Sequence, residues 1–209
     1  MMGDPRAKEF IVGIAGASGV AYGLRLVEEL LRADCGVQLL ITDAGRQVLA
    51  HEAGLAVPVA SADAEMFLRG HFSTGGQLRH YAIKDLSAPP ASGSNTIDGM
   101  IVCPCSMGSV GRIASGLSEN LLERAADVSL KERRHLILVP RETPISTIHL
   151  ENLLRLSRSG VTILPAMPGF YQGPKTVDAL VDFVVAKILS QLGLESSHLL
   201  QPWGGINQT

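Results

Sequence analysis

The chain has 209 residues, of which 46% are hydrophobic, 18% charged and only 4% aromatic, with a formal net charge of −2. That length suits a single α/β domain, and a core built from Ala, Val, Leu and Ile favours buried parallel strands and helices over an aromatic-rich sandwich. The absence of a basic block excludes a general electrostatic footprint for nucleic acid, and no apolar stretch reaches the roughly 20 residues of a membrane span, so neither nucleic acid nor membrane is expected as a partner.

Strand and helix signals alternate from the start. EFIVGIA (9–15) reads as a buried strand and residues 20–33 as a helix with Val20, Leu24, Val27 and Leu31 on one face, stopped by Gly36. A second strand follows at 37–42 and a helix at 43–53. Residues 55–97 are the least regular part; they leave room for a short extra strand or hairpin, and APPASGSN (88–95) is a loop. Strands at 98–104, 135–140 and 160–166 alternate with helices at 106–115, 119–133, 147–159 and 176–194. Repeated βα units predict a mostly parallel sheet in a three-layer, Rossmann-like or flavodoxin-like sandwich. Residues 1–209 read as one domain, with a core over about 9–194 and an irregular tail from 195. The first residues, MMGDPRAKEF, hold no apolar signal segment, and Cys35, Cys103 and Cys105 are an odd set; together they predict a cytoplasmic protein without a disulfide framework.

The first turn is rich in glycine: Gly13, Gly16 and Gly19 recur at every third position and Ser18 stands among them. This is neither the G-x-G-x-x-G dinucleotide fingerprint nor a P-loop, which needs Lys followed by Ser or Thr. A helix N-terminus after such a turn offers N–H groups to an anion, and Asp43 near the end of the second strand keeps a nicotinamide enzyme open as a reading. In open α/β sheets ligands sit beyond the carboxyl ends of the strands. Those ends carry Thr42 and Asp43, then CPCSMGS with Ser106 and Ser109, then Arg141-Glu142, then a Pro/Gly-held loop with Tyr171. Arg suits forked hydrogen bonding to phosphate and Glu suits proton transfer. Arg124 and Lys131 lie seven residues apart, on one helix face where two cations can close over an anion. The C-P-C spacing is wrong for zinc, and no signature supports a Cys–His pair; His51, His135 and His149 read as surface or helix residues.

Together, GASG (16–19), PPASGS (89–94), CPCS (103–106), ERAADVSLKERR (123–134), VPRETP (139–144), HLENLLRLSRSG (149–160) and PGFYQGP (168–174) resemble the UbiX-type flavin prenyltransferases, once described as aromatic acid decarboxylases. The resemblance runs from about Ile11 to Trp203, and the ERAADVSLKERR and VPRETP blocks are its specific part. It implies a homododecamer that moves a dimethylallyl group from dimethylallyl monophosphate to N5 and C6 of reduced FMN. The product, prenylated FMN, then serves a partner UbiD-type decarboxylase. By the same resemblance Gly16, Ala17, Ser18, Thr42, Ser106, Met107, Gly108, Ser109 and Arg141 bind FMN. Thr42 stands where the family usually has Ser. Arg124, Lys131, Tyr171, Lys187 and Trp203 are matched to the donor site, Lys187 replacing the family's Arg, while Ser18, Glu52 and Glu142 handle protons. A monophosphate leaving group facing Lys131, Arg141 and Lys187 needs no metal. The rival readings are an FMN-dependent decarboxylase of the cysteine-decarboxylase type and a non-catalytic FMN carrier.

Overall fold

The computed structural model describes residues 7–73 and 77–200. Its core is fixed by period-2 alternation along the strands. In β1 (Glu9–Ile14) the side chains of Phe10, Val12 and Ile14 enter one apolar layer while Ile11 enters the other. The strands β2 (Gly36–Ile41), β4 (Gly99–Cys105) and β5 (Leu136–Pro140) sort in the same way, which is why they read as continuous apolar runs: both faces are covered. One face packs against α1 (Val20–Arg32), α3 (Ser61–Phe72) and α7 (Val177–Gln191). The other packs against α4 (Met107–Ala114), α5 (Leu121–Lys131) and α6 (Thr147–Arg158). With β3 (Leu78–Tyr81) and β6 (Thr162–Ile163), the sheet has six strands in the order β3-β2-β1-β4-β5-β6, every described pair parallel. This is the doubly wound Rossmann order, whose direction reverses between β1 and β4. At that reversal α1 lies so close to the sheet that a Cβ on Gly23 would collide with the Cys103 carbonyl oxygen.

Helix starts fall where capping residues put them. Thr42, Ser106, Asn120, Ser146 and Thr176 each accept a backbone N–H from the first turn of α2 (Asp43–Ala53), α4, α5, α6 and α7. Asp43 is the acidic first residue of α2, as expected from a helix over 43–53. The fifth predicted strand shortens to Thr162–Ile163, although Leu164 and Ala166 still donate to the Leu138 and Pro140 carbonyls.

The stretch read as irregular needs the larger correction. It contains the 12-residue helix α3, and β3 is a parallel edge strand, not half of a hairpin. Only Ala64 and Leu68 of α3 are buried, so the helix writes a weak apolar stripe. Its polar side chains instead satisfy the open edge of β3. Arg69 Nε donates to the Leu78 carbonyl (2.9 Å), the His80 amide donates to Glu65 Oε2 (2.9 Å), and Ser61 Oγ donates to the His80 carbonyl (2.8 Å).

His80 itself is buried between Ser61 Oγ (3.1 Å from Nδ1) and Arg46 Nη2 (3.2 Å from Nε2). A guanidinium only donates, so Nε2 accepts and the proton sits on Nδ1. Burial, with the Arg46 charge added, pushes the imidazole down to about 4. The unfolded chain takes up this proton near pH 6.5 and the folded chain does not until about 4, so the folded state loses stability as pH falls through that window. We expect a loss of at most about 3 kcal/mol across it. His80→Gln flattens that slope in urea-unfolding curves taken between pH 6.5 and 4.

Candidate active site

The glycines of the first turn have different jobs. Gly13 makes room for Leu122 of α5, Gly16 for Ala44 of α2, and Gly19 takes φ +103°, which a side chain disfavours. The turn ends at α1, whose N-terminus has no cap from its own sequence. Glu52, from the last turn of α2, supplies one. Its Oε2 accepts the Gly19 amide at 2.8 Å and the Val20 amide at 3.1 Å, and Ser18 adds a side-chain hydrogen bond. Arg141, directly after β5, donates from Nε to the Ser18 carbonyl at 3.0 Å. Partial burial alone would raise the Glu52 pKa. The Ser18 hydroxyl, the two amides and the Arg141 charge outweigh it and hold the carboxyl below its usual range.

The anion at α1 is thus the protein's own carboxylate, which corrects the expectation that this helix end stands open to a ligand. The neighbouring α4 is different. Ser106 Oγ accepts the Ser109 amide (3.2 Å) and lies 3.0 Å from Ser109 Oγ, leaving the first-turn amides of Met107 and Gly108, which the helix cannot use internally. The Met107 side chain is buried, so its contribution here is its amide. Thr42 Oγ1 accepts the Gly45 amide at 2.9 Å, so its hydroxyl already caps α2. These groups, with the outer nitrogens of Arg141, follow the carboxyl ends of β1, β2, β4 and β5 and make a cradle of hydrogen-bond donors whose chemistry suits an anion. Glu142 lies beside it, accepting the Thr143 amide at 3.0 Å.

Of the remaining predicted residues, Lys131 lies at the far end of the sheet from these groups. α5 begins at the cradle end, Leu122 touching Gly13, and runs back along the sheet until Ser129 Oγ reaches Met100 Sδ at the amino end of β4. Lys131, two residues further, pairs with Glu132 and borders Gly93, about a strand's length (~20 Å) from Ser106. Arg124 pairs with Asp127 (2.7 Å) and donates to the Ala91 carbonyl (3.2 Å). Tyr171 and Lys187 are grouped around Phe183, Lys187 beside β6. Trp203 lies outside the described residues.

Residues 3–189 match the Flavoprotein family model. The flavin prenyltransferase UbiX of Halalkalibacterium halodurans is 53% identical over 196 residues, 93% of each chain. The chain belongs to the UbiX family of flavin prenyltransferases. Among solved structures, a dodecameric FMN-dependent UbiX-like decarboxylase from Escherichia coli O157:H7 superposes with a TM-score of 0.81 at 40% identity, over 94% of this chain and 100% of that one. AnUbiX in complex with FMN and dimethylallyl pyrophosphate gives 0.84 at 33% identity, over 96% and 99%.

Two features of this UbiX-family chain escaped the sequence reading. Glu123, fully buried, accepts from Arg112 Nε (2.5 Å), Asn120 Nδ2 (2.7 Å) and the Glu119 amide (3.0 Å), locking α5 to the helix that presents the cradle amides. The Asn-x-x-Glu spacing of a helix start was its only signal. Phe183 had none. The cysteines gain no reactivity: burial raises the Cys103 thiol strongly and pushes Cys105 up to about 12, so neither is a thiolate at neutral pH.

A depressed carboxyl stabilises the fold while ionised, and that contribution is lost as pH falls through its folded pKa. Glu52→Gln therefore melts at a lower temperature than the unaltered protein at pH 7, and the difference shrinks as pH falls through and below the usual carboxylate range, where the depressed Glu52 carboxyl finally takes up its proton.

Proposed function

We propose that this chain joins the dimethylallyl group of dimethylallyl monophosphate to N5 and C6 of reduced FMN. The Ser18–Glu52–Arg141 cluster beside the open amides of α4 carries the reading. Its donors fit both ends of FMN. The Met107 and Gly108 amides, the Ser106 and Ser109 hydroxyls and the Arg141 nitrogens suit the phosphate. Small residues at Gly16 and Ala17 let a flat ring approach the turn, with Thr42 at its border. Reduced FMN is the nucleophilic substrate: the C–N bond at N5 would form as the allylic C–O bond breaks, with phosphate and the N5 proton leaving, and the C–C bond at C6 would form as the prenyl double bond takes up a proton and C6 gives up its own.

The chain's own groups do the rest. Glu52, held ionised, is a base, and the Ser18 hydroxyl bonded to it relays the proton that the flavin gives up. Glu142 donates a proton to the departing phosphate. Arg124, Lys131, Tyr171 and Lys187 bind that phosphate, with Trp203 as an apolar wall. Because Lys131 sits at the far end of α5, away from the strand ends of its own chain, the donor site closes between copies. A dodecameric relative supports this assembly. The fixed cations meet a monophosphate dianion without a metal. We further infer that prenylated FMN passes to a UbiD-type decarboxylase, and that the protein works in the cytoplasm, where three unpaired cysteines stay reduced.

Anaerobic incubation with reduced FMN, dimethylallyl monophosphate and EDTA is expected to add one five-carbon unit to the flavin by mass spectrometry. Unmodified FMN that stays bound makes the protein a carrier. Release of CO2 from a peptide ending in cysteine makes it a decarboxylase. Arg141→Met and Lys131→Met variants are each expected to lose at least about 100-fold in rate. Co-refolded as mixed oligomers they recover part of it, since one copy then brings an intact cradle and its neighbour an intact lysine; no recovery overturns the shared site.

A further inference from the structure

Two residues assigned above to the donor phosphate converge on a ring that belongs to no motif. Phe183 stands four residues before Lys187 on α7, so the two side chains share a face. Lys187 Nζ lies over the Phe183 ring, 5.6 Å from its centroid, within cation–π reach of about 6 Å. Tyr171, from the loop between β6 and α7, meets the same ring edge-on, with centroids 5.6 Å apart and planes at 80°. Their approach requires a glycine at position 169: a Cβ there would stand 2.8 Å from Phe183 Cζ and 2.9 Å from Tyr171 Cε1. The same ring walls a cleft of about 330 Å³ that Lys187, Met167, Thr162 and Gln191 also line.

We propose that Phe183 is a positioning residue for the donor phosphate, presetting the Tyr171 hydroxyl and the Lys187 ammonium on one side of the site. The inference rests on the donor-site assignment made under the proposed function. Its physical basis is that an aromatic face locates a cation without cancelling its charge. A carboxylate in the same place would fix Lys187 equally well, but would neutralise it and repel the incoming phosphate. Among the described residues, Lys187 has no ion-pair partner. A lysine needs such help more than an arginine does: it carries a point charge on a flexible stem, without the planar fork that preorganises a guanidinium. The ring therefore suits the lysine that this chain carries at position 187.

The test is steady-state prenylation of reduced FMN with dimethylallyl monophosphate varied, in the full-length protein. Phe183→Leu keeps the apolar packing and removes the π face. It is expected to raise the donor KM about 5–10-fold with kcat changed less than about threefold and FMN affinity unchanged, in line with a desolvated cation–π contact. Phe183→Trp, which keeps a π face, stays within about twofold of the unaltered protein. Lys187→Met raises the donor KM on its own, and adding Phe183→Leu to it raises KM by less than about twofold more, because the ring then has no cation to place. An unchanged KM in Phe183→Leu, or an effect that multiplies fully with Lys187→Met, overturns the role of Phe183 and leaves the donor site standing. An unchanged KM in Lys187→Met overturns the donor-site assignment and this inference with it.

Discussion

The carboxylate of Glu52 on the N-terminus of α1 is the contact on which the rest of the site depends. Two amides from one helix end, a hydroxyl from the preceding turn and the charge of Arg141 converge on it. Helix dipole and hydrogen bonds act in the same sense, so the group is ionised and fixed before any ligand arrives. It also joins three parts of the chain that the sheet order separates: the turn after β1, the end of α2, and, through the Ser18 carbonyl, the residue after β5. Since that helix end is filled by the protein itself, a ligand's phosphate is left the next helix at the switch point, α4. Its own cap uses one amide and leaves two.

The polar groups away from the cradle divide the molecule into ends. At the amino edge of the sheet, Gln38 donates to Glu9 (2.7 Å), Asn95 donates to Gln38 (3.0 Å), and Arg134 donates to the Asn95 carbonyl (2.6 Å), closing the strand starts against water. Lys131 borders that end, and so cannot serve the cradle of its own chain. The proposed cation-lined site, completed from a second copy, follows from where α5 begins and stops. Its start is anchored by the Asn120–Glu123 cap and its far end by Ser129 against Ala125 and Met100.

Much of this could be read from the residues because the determinants are local. Runs such as FIVGI and MIVC announce strands covered on both faces, and the capping residues Thr42, Ser106, Asn120, Ser146 and Thr176 set helix starts within a residue or two. The gathering of Thr42, Ser106 and Arg141 was legible for a related reason: polar groups that follow strand ends meet at one edge of this class of sheet. What could not be read is what depends on distant partners. α3 buries two side chains and spends its polar ones on the edge of β3, a pairing with no periodicity to betray it. Glu52 lies 33 residues from the amide it caps, so its occupation of α1 leaves no spacing signal. Arg124 and Lys131 do share a face, as seven-residue spacing requires, but periodicity specifies a face and not what that face looks upon.

The charges of the site and its scaffold differ in how they are paired, and the difference follows their tasks. Arg112 and Glu123 form a pair with a fully buried carboxylate, and removing Arg112 would leave that carboxylate buried without its counter-charge. Such a pair is scaffold and cannot be exchanged. Arg124 with Asp127 and Lys131 with Glu132 are half-exposed pairs whose partners solvent replaces at little cost. In the proposed donor site a phosphate dianion would compete for these cations against a single weakly held carboxylate each, which makes them recruitable from a resting arrangement. Lys187 needs no exchange at all, because an aromatic ring holds it. Rigid charge thus builds the frame, loosely paired charge waits on the flank of each copy, and the charge beside β6 is kept whole for the ligand.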